Sequence, residues 1–524
     1  MGLGIDFGTT RTVVAYSDRK NYPVASFETE SGDAIEWFPS LVAERDGELR
    51  FGIEALAVIG DPTFAQVRSF KRLLAGSDAE VSRTITIGSV RVSVSELVTG
   101  FARALARALR ERSNLPKSLR KQASWETVIA SPATAFCTQR FVTLDAFRAA
   151  GFGVRAMLNE PSAAGFEYSH RHARTLSSKR ENVVVYDLGG GTFDASLVRM
   201  SGTRHEVLRT GGIAELGGDD FDRVLANLVL AKRGLTGDEL PALTRLALIL
   251  QCTDVKERLG PSTRKVTLDL DATLAELAGA SEISLPVQEY YDACEPWIER
   301  TLAAMRPILE HEANETPVEE GELREDVAGL YVVGGASAFP PVGRALRARF
   351  GRRVHRSPYP HAAVAIGLAI ASDKDAGFEL DDRFSRNFGV FREADGGRKA
   401  SYDPIFTRER ALPRPGDEPV TVARRYRAEH DVGHFRFFEC ADFDEHGAPR
   451  GDLAPVTDLR FPFDPALRHE GVDLAQHAVR RLEHERPLVE EKYTLDAHGI
   501  VHVTFTDLDR GYAITRRVGA GAAP

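Results

Sequence analysis

The sequence predicts an α/β chain of two similar lobes followed by a mostly β region. Three observations carry that prediction. Gly4-Ile5-Asp6-Phe7-Gly8-Thr9-Thr10 and Asp187-Leu188-Gly189-Gly190-Gly191-Thr192-Phe193-Asp194 share one design: an apolar strand, an aspartate, and a Gly/Thr turn returning to apolar residues. Around them, β-branched runs alternate with helical patterns, the rhythm of an α/β fold. Beyond Phe388 the helical periodicity gives way to short strands broken by Pro and Gly.

In chain order, residues 3–5 and 12–16 flank the first Gly-Thr-Thr turn and read as a hairpin. Ser93 and Glu96 make a capping-box pattern ahead of Leu97, Phe101, Leu105 and Leu109, while Arg103, Arg107 and Arg110 fall on the solvated face. Residues 127–130, 182–186 and 330–333 are β-branched apolar runs of the kind that form buried strands, and 139–150 and 220–231 are helical. A polar stretch at 372–377 marks a boundary. The division that follows is lobes at 1–180 and 181–376, a linker at 377–387, a β-sandwich-like domain at 388–518 and a frayed end at 519–524. Within the β region, residues 491–495 and 500–505 flank the hairpin turn Asp496-Ala497-His498-Gly499, and residues 475–485 read as a helix packed on the sheets. His430 and His434 read as strand residues among Phe435, Phe437 and Phe438, not as metal ligands.

Composition narrows the function. With 524 residues, 43% hydrophobic and 27% charged, the chain holds several folded units. Its 67 basic and 76 acidic residues leave a net charge of −9, which opposes nucleic acid or an anionic membrane as partner. Cys137, Cys252, Cys294 and Cys440 are widely separated, so neither a disulfide framework nor a zinc site is expected. With Asp6 where a secretory leader is apolar, and apolar runs such as 362–371 too short to span a bilayer, a cytoplasmic protein is expected.

The paired turns carry the chemistry. Glycines let backbone N–H groups approach phosphate oxygens, and threonine hydroxyls add donors to a concave anion site. Asp6 and Asp187 suit a hard Mg²⁺ that keeps several waters and bridges phosphates. Gly334-Gly335 follows the third apolar run, giving three strand-to-glycine turns in order. Asp6-Phe7-Gly8 spells a kinase triplet, but no Gly-rich or His-Arg-Asp loop precedes it, and no GxxxxGK[ST] occurs.

These residues resemble the nucleotide-binding domain of the heat-shock protein 70 (DnaK-type) chaperone family, in order through most of the chain. Residues 4–10 resemble its first phosphate motif, 187–194 its second and 332–340 its adenosine motif; Leu158-Asn159-Glu160-Pro161-Ser162-Ala163-Ala164 and Leu216-Gly217-Gly218-Asp219-Asp220-Phe221-Asp222 resemble two further segments. The resemblance implies a two-lobed actin-like (ribonuclease-H-like) ATPase domain followed by a mostly β substrate-binding domain. It implies ATP/ADP and Mg²⁺ as cofactors, slow hydrolysis of ATP to ADP and phosphate, an unfolded or peptide client, and J-domain or exchange-factor partners. Residue by residue, Lys71 matches the lysine that orients the attacking water, Glu160 an interlobe glutamate near metal-bound waters, and Thr192 a γ-phosphate contact. Asp6, Asp187 and Asp194 match carboxylates around the metal, and Asp6 and Asp187 join the catalytic set. Gly8, Thr9, Thr10, Arg11, Gly189, Gly190, Gly191, Thr192, Gly217, Gly218, Lys256, Gly334, Gly335 and Ala336 are the implied nucleotide contacts, Lys256 at the ribose. Pro132 and Arg140 resemble the pair through which the family relays nucleotide state.

Departures from the pattern cluster at the base and in the linker. Ala336-Ser337-Ala338 replaces Ser-Thr-Arg, Glu257 stands where an arginine is expected, and His361 follows Pro360 where the family has aspartate. Each lost arginine plane removes about 0.5–2 kcal/mol of base contact. Residues 378–384 keep little of the apolar strand that docks between the family's lobes, and neither a helical lid nor an acidic tail follows the last strands, as in a divergent, lidless, YegD-like member. Two other readings stay open: a small-molecule kinase of the same superfamily, and a nucleotide-sensing or polymerising scaffold with little turnover.

Overall fold

In the computed structural model, which describes residues 1–74, 83–270, 279–309, 323–377, 379–394, 398–469 and 471–519, two sheets repeat one plan. The first is five-stranded, in the order Phe152–Asn159, Trp125–Ser131, Leu3–Phe7, Arg11–Tyr16, Phe38–Pro39. Leu3–Phe7 pairs antiparallel with Arg11–Tyr16 through the Gly-Thr-Thr turn and parallel with Trp125–Ser131. The second sheet is six-stranded, in the order Val354–Arg356, Val327–Val333, Asn182–Leu188, Phe193–Ser201, Arg204–Ile213, Glu379–Asp381. There Asn182–Leu188 pairs antiparallel with Phe193–Ser201 across its glycine turn and parallel with Val327–Val333. The duplicated motif is thus a duplicated hairpin. Strands Asn182–Leu188 and Val327–Val333 are buried along their whole length, as their unbroken apolar runs require.

Helices cover both sheets. Val94–Glu111 begins with the full capping box at Ser93 and Glu96 and turns its apolar stripe into the first lobe's core. Its solvated side carries Arg107, paired with Glu54 at 3.1 Å, whereas Arg110, expected on that face, is half-buried over the Trp125 ring and donates to the Gln122 carbonyl at 2.7 Å. The predicted helices at 139–150 and 220–231 are observed as Cys137–Ala149 and Gly218–Ala231. Helices Glu160–His172 and Ala363–Ser372 pack on one another where the lobes join. They approach so closely that a Cβ on Gly367 would lie 1.8 Å from the Ala163 carbonyl oxygen.

The C-terminal region is two four-stranded antiparallel sheets. One is ordered Lys399–Phe406, Asn387–Ala394, Val432–Phe443, Pro449–Pro462, and the other Val420–Arg427, Leu488–Leu495, Val501–Asp507, Tyr512–Arg517. Phe388, Phe437, Phe461, Tyr493 and Phe505 fill the space between them. This core and the first lobe's exchange residues: Cys137 packs into the β core, and Ile500 into the lobe.

Two expectations need correction. Residues 475–485 are irregular and not helical. Asp431 accepts the Arg480 N–H at 2.8 Å and sits 2.8 Å from His477 Nε2, while the Glu429 carbonyl accepts the Leu482 N–H at 2.9 Å. These bonds hold the chain against residues 429–431, and with Val479 exposed there is no buried stripe to stabilise a helix. The segment after residue 378 does dock despite its polarity. Glu379–Asp381 joins the second lobe's sheet as a parallel edge strand beside Arg204–Ile213. Salt bridges from Arg204 and Arg414 to Asp381 replace the apolar contacts that the sequence lacks.

Candidate nucleotide site

The two glycine turns meet face to face across a cleft of about 540 Å³, a volume suited to a nucleotide-sized ligand. A Cβ on Gly190 would lie 2.4 Å from Thr10 Oγ1, and one on Gly191 would lie 2.6 Å from Thr9 Cγ2. The third turn closes behind them. Gly334 has φ +85°, and a Cβ there would lie 2.3 Å from the Leu188 carbonyl and 2.4 Å from Asp187 Oδ1. Only glycine serves both demands. The Gly218 and Asp219 N–H groups bond the Gly189 and Gly190 carbonyls at 2.9 and 2.8 Å, locking a fourth turn onto the second.

Most predicted contacts line this cavity. Gly8, Thr9, Thr10, Arg11, Gly189, Gly190, Thr192, Gly218, Lys256, Gly334, Gly335 and Ala336 border it, with Asp6, Lys71, Glu160 and Asp187. Three predicted residues stand behind the wall. Gly191 packs on Thr9, Gly217 on the Gly190 backbone, and Asp194 accepts the Ala133 N–H at 3.0 Å. Lys256, expected at a ribose, has its buried ammonium 2.7 Å from Asp222 Oδ1 and donates to the Gly218 carbonyl at 2.9 Å. Its charge is committed to holding the fourth turn.

At the floor, Lys71 Nζ lies 3.1 Å from Glu160 Oε1, and both side chains are buried. Lys71 comes from the short 3-10 helix Phe70–Leu74, and Glu160 opens helix Glu160–His172 at the lobe junction. Three aspartates share this environment. Burial, then Glu160, pushes Asp6 up to about 7 against the pull of Lys71. The same two causes raise Asp194 to about 8, and burial with Glu160, Asp6 and Asp194 holds Asp187 well above the carboxylate range. Three buried acids and the half-buried Asp6 around one ammonium favour a cation. Among the described residues no three His, Cys, Asp or Glu groups converge as direct ligands. The donor set therefore fits a hard divalent ion that keeps its waters, with Asp6 and Asp187 bordering the cleft and Asp194 behind its wall.

The site continues outward through Asn159 and the predicted relay residue Arg140 to residues that sequence reasoning passed over, Asp382, Glu439 and Arg386. Asn159, immediately before Glu160, donates its backbone N–H to Asp382 Oδ2 at 3.0 Å and its side-chain amide to Asp382 Oδ1 at 2.7 Å. Its Oδ1 accepts from Arg140 Nη1 at 3.2 Å, and Arg140 donates twice to the His498 carbonyl in the β region, at 3.1 and 2.9 Å. Nearby, Glu439 accepts the Cys137 N–H, and Arg386 stacks on Phe136 while pairing with Asp452 at 2.7 Å. Burial raises both Asp382 and Glu439; hydrogen bonds from Asn159 and the charge of Arg140 oppose it at Asp382, and the charge of Arg386 and hydrogen bonds from Cys137 oppose it at Glu439. For Asp382 the one sequence signal was the run Asp381-Asp382-Arg383 in place of apolar residues. Pro132 follows strand Trp125–Ser131 and accepts the Ala135 N–H in a turn at 3.1 Å.

A model of the Hsp70 protein family matches residues 2–382, ending on the aspartate that binds Asn159. The chain belongs to the Hsp70 family. Its two-lobed part is that family's actin-like ATPase fold, followed by a β-rich region. Curated relatives include the chaperone protein HscA homolog of Variovorax paradoxus (strain S110), 32% identical over 389 residues that cover 72% of this chain and 59% of the relative. Those of Pseudomonas putida and Azotobacter vinelandii (strain DJ) are each 32% identical, covering 72% of this chain and 58% of theirs. The match thus spans less than two thirds of these Hsp70 relatives. Among the described residues no helix is long and apolar enough to cross a membrane.

Proposed function

We propose that the cleft binds ATP and ADP with Mg²⁺, hydrolyses ATP slowly, and uses its nucleotide state to modulate binding of an unfolded or peptide client by the β region. In this reading residues 1–376 are the nucleotide-binding domain, 377–387 the linker and 388–518 the client-binding domain of a cytoplasmic chaperone, with J-domain or exchange-factor proteins as partners. Family membership and the relatives' description as chaperones support it.

Each side chain has a task in this reading. The glycine turns present backbone N–H groups to the phosphates, and the Thr192 hydroxyl donates to the terminal one. Lys71 brings a buried ammonium to the charge that develops on the phosphoryl group in a loose transition state. Glu160 fixes that ammonium and, with Asp187 and Asp6, accepts hydrogen bonds from water at the floor. When bound, Mg²⁺ neutralises the triphosphate and the surrounding acids.

The observation that carries the coupled function is the adjacency of Glu160 and Asn159. One faces the floor, and the other binds Asp382 and Arg140, which leads to the β region. A shift of the Glu160 turn with nucleotide state moves Asn159 with it. Fluorescence anisotropy of a labelled unfolded peptide, titrated with full-length protein in Mg·ATP and in Mg·ADP, tests this. The proposal expects different affinities in the two states; equal affinities, or no binding in either, contradict it.

A further inference from the structure

Two substitutions that take the base end away from the family pattern have partners on the opposite lobe. Glu257 ends helix Ala242–Glu257 of the second lobe, and its Oε1 and Oε2 accept from Arg11 Nη2 at 2.8 and 2.7 Å. Arg11 opens strand Arg11–Tyr16 of the first lobe, and its guanidinium carbon lies 4.2 Å from the centroid of the Trp37 ring. His361, from the second lobe, has Nε2 3.5 Å from Oε2 of Glu36, the residue before Trp37. All five side chains line the nucleotide cleft. The carboxylate at position 257 therefore does more than delete a base-stacking arginine. An arginine stands on the facing lobe, flattened against an aromatic ring, with Glu257 as its counter-charge.

We propose that Arg11, Trp37 and Glu257, with Glu36 and His361 beside them, form a cross-lobe clasp at the base end that sets how long a nucleotide stays bound. The inference rests on the nucleotide-binding reading above. Lobe separation breaks both pairs together, because each has one member on each lobe. Arg11 and Glu257 are 31% and 42% exposed, so the pair is screened by salt and opens readily. Such a contact suits a regulator of release better than a source of affinity. Its loss should speed release by roughly twofold to fivefold, the effect of losing an exposed ion pair.

The test is stopped-flow release of N-methylanthraniloyl-ADP from the full-length protein, chased with excess ADP, at low and high salt. Arg11→Glu and Glu257→Arg should each release the probe faster, and the double reversal should return the rate toward that of the unaltered protein. Glu257→Gln keeps the shape while removing the charge, and should show the same acceleration with an unchanged thermal midpoint. The unaltered protein should release faster as salt rises, and the single variants should lose that dependence. Unchanged release in the single variants, or a double variant no slower than either single one, overturns the clasp while leaving nucleotide binding intact. If the unaltered protein does not take up the probe, the nucleotide reading falls and the clasp with it.

Discussion

The two ends of the cleft are held by different kinds of contact. At the phosphate end, glycine turns sit directly against threonines of the opposite lobe, and the Lys71–Glu160 pair is only 5% and 9% exposed. At the base end, the cross-lobe contacts are an ion pair and a histidine–carboxylate contact, both open to solvent. Close backbone approach and buried charge leave no room for replacement, since a Cβ or an unpaired ion there meets something it cannot displace. Exposed pairs can be rewired at small cost. The departures from the family pattern around the nucleotide fall at the rewirable end, and the phosphate end also extends outward through Asn159 to Asp382 and Arg140.

That contrast breaks most visibly at Asp382. Removing this buried carboxylate leaves the backbone N–H and side-chain amide of buried Asn159 without their acceptor and takes a negative charge from the neighbourhood of Arg140. Leaving buried donors unsatisfied costs about 1–3 kcal/mol each. Asp382→Ala should therefore free the strand Glu379–Asp381, seen as rapid proteolysis within residues 379–387 while the lobes stay resistant; an unchanged cleavage pattern would show that the strand docks without Asp382. Next in size is Lys71→Ala. Losing a positioned charge at the phosphoryl group should slow single-turnover ATP hydrolysis by about 10²–10³-fold while nucleotide binding persists. A rate within a factor of two of the unaltered protein contradicts the assignment.

What the sequence made legible was local. Strand, aspartate and glycine turn are contiguous, so the duplicated hairpins and their meeting could be read from composition and order, as could the Ser93–Glu96 cap. Residues 475–485 misled because helical spacing says nothing about Asp431, which holds that irregular stretch against residues 429–431. The base end was read as a loss because the partner of Glu257 lies 246 residues away. Asp382, Glu439 and Arg386 were hidden for a related reason. Charged residues normally mark solvent, and only the packed β region buries them.

A smaller effect sharpens the comparison from the sheet edge that receives residues 379–381. His205 lies in the strand beside them, stacked on Phe166 at 4.7 Å and bonded to Ser169 at 2.8 Å. Burial lowers it from its ordinary 6.5 to about 4. The folded protein thus excludes a proton that the unfolded chain takes up, so stability is full above pH 6.5 and falls as the pH drops toward 4. The loss should reach about 3 kcal/mol at ~1.4 kcal/mol per pH unit. The raised Asp6 and Asp194 titrate in the opposite sense over the same range, so the slope is read as the difference between the unaltered protein and His205→Phe in urea unfolding at pH 7 and pH 5.

The smallest expected difference is also the most direct test, because it compares the two ends within one ligand. Calorimetry with Mg·ATP and Mg·GTP keeps every phosphate contact and changes only the base. Without the arginine planes of the family pattern, the base contributes at most about 2 kcal/mol to discrimination, so the two nucleotides should bind within roughly thirtyfold of each other. Tight ATP binding with GTP a hundredfold weaker would show that the base end reads adenine and would contradict the division drawn between the two ends.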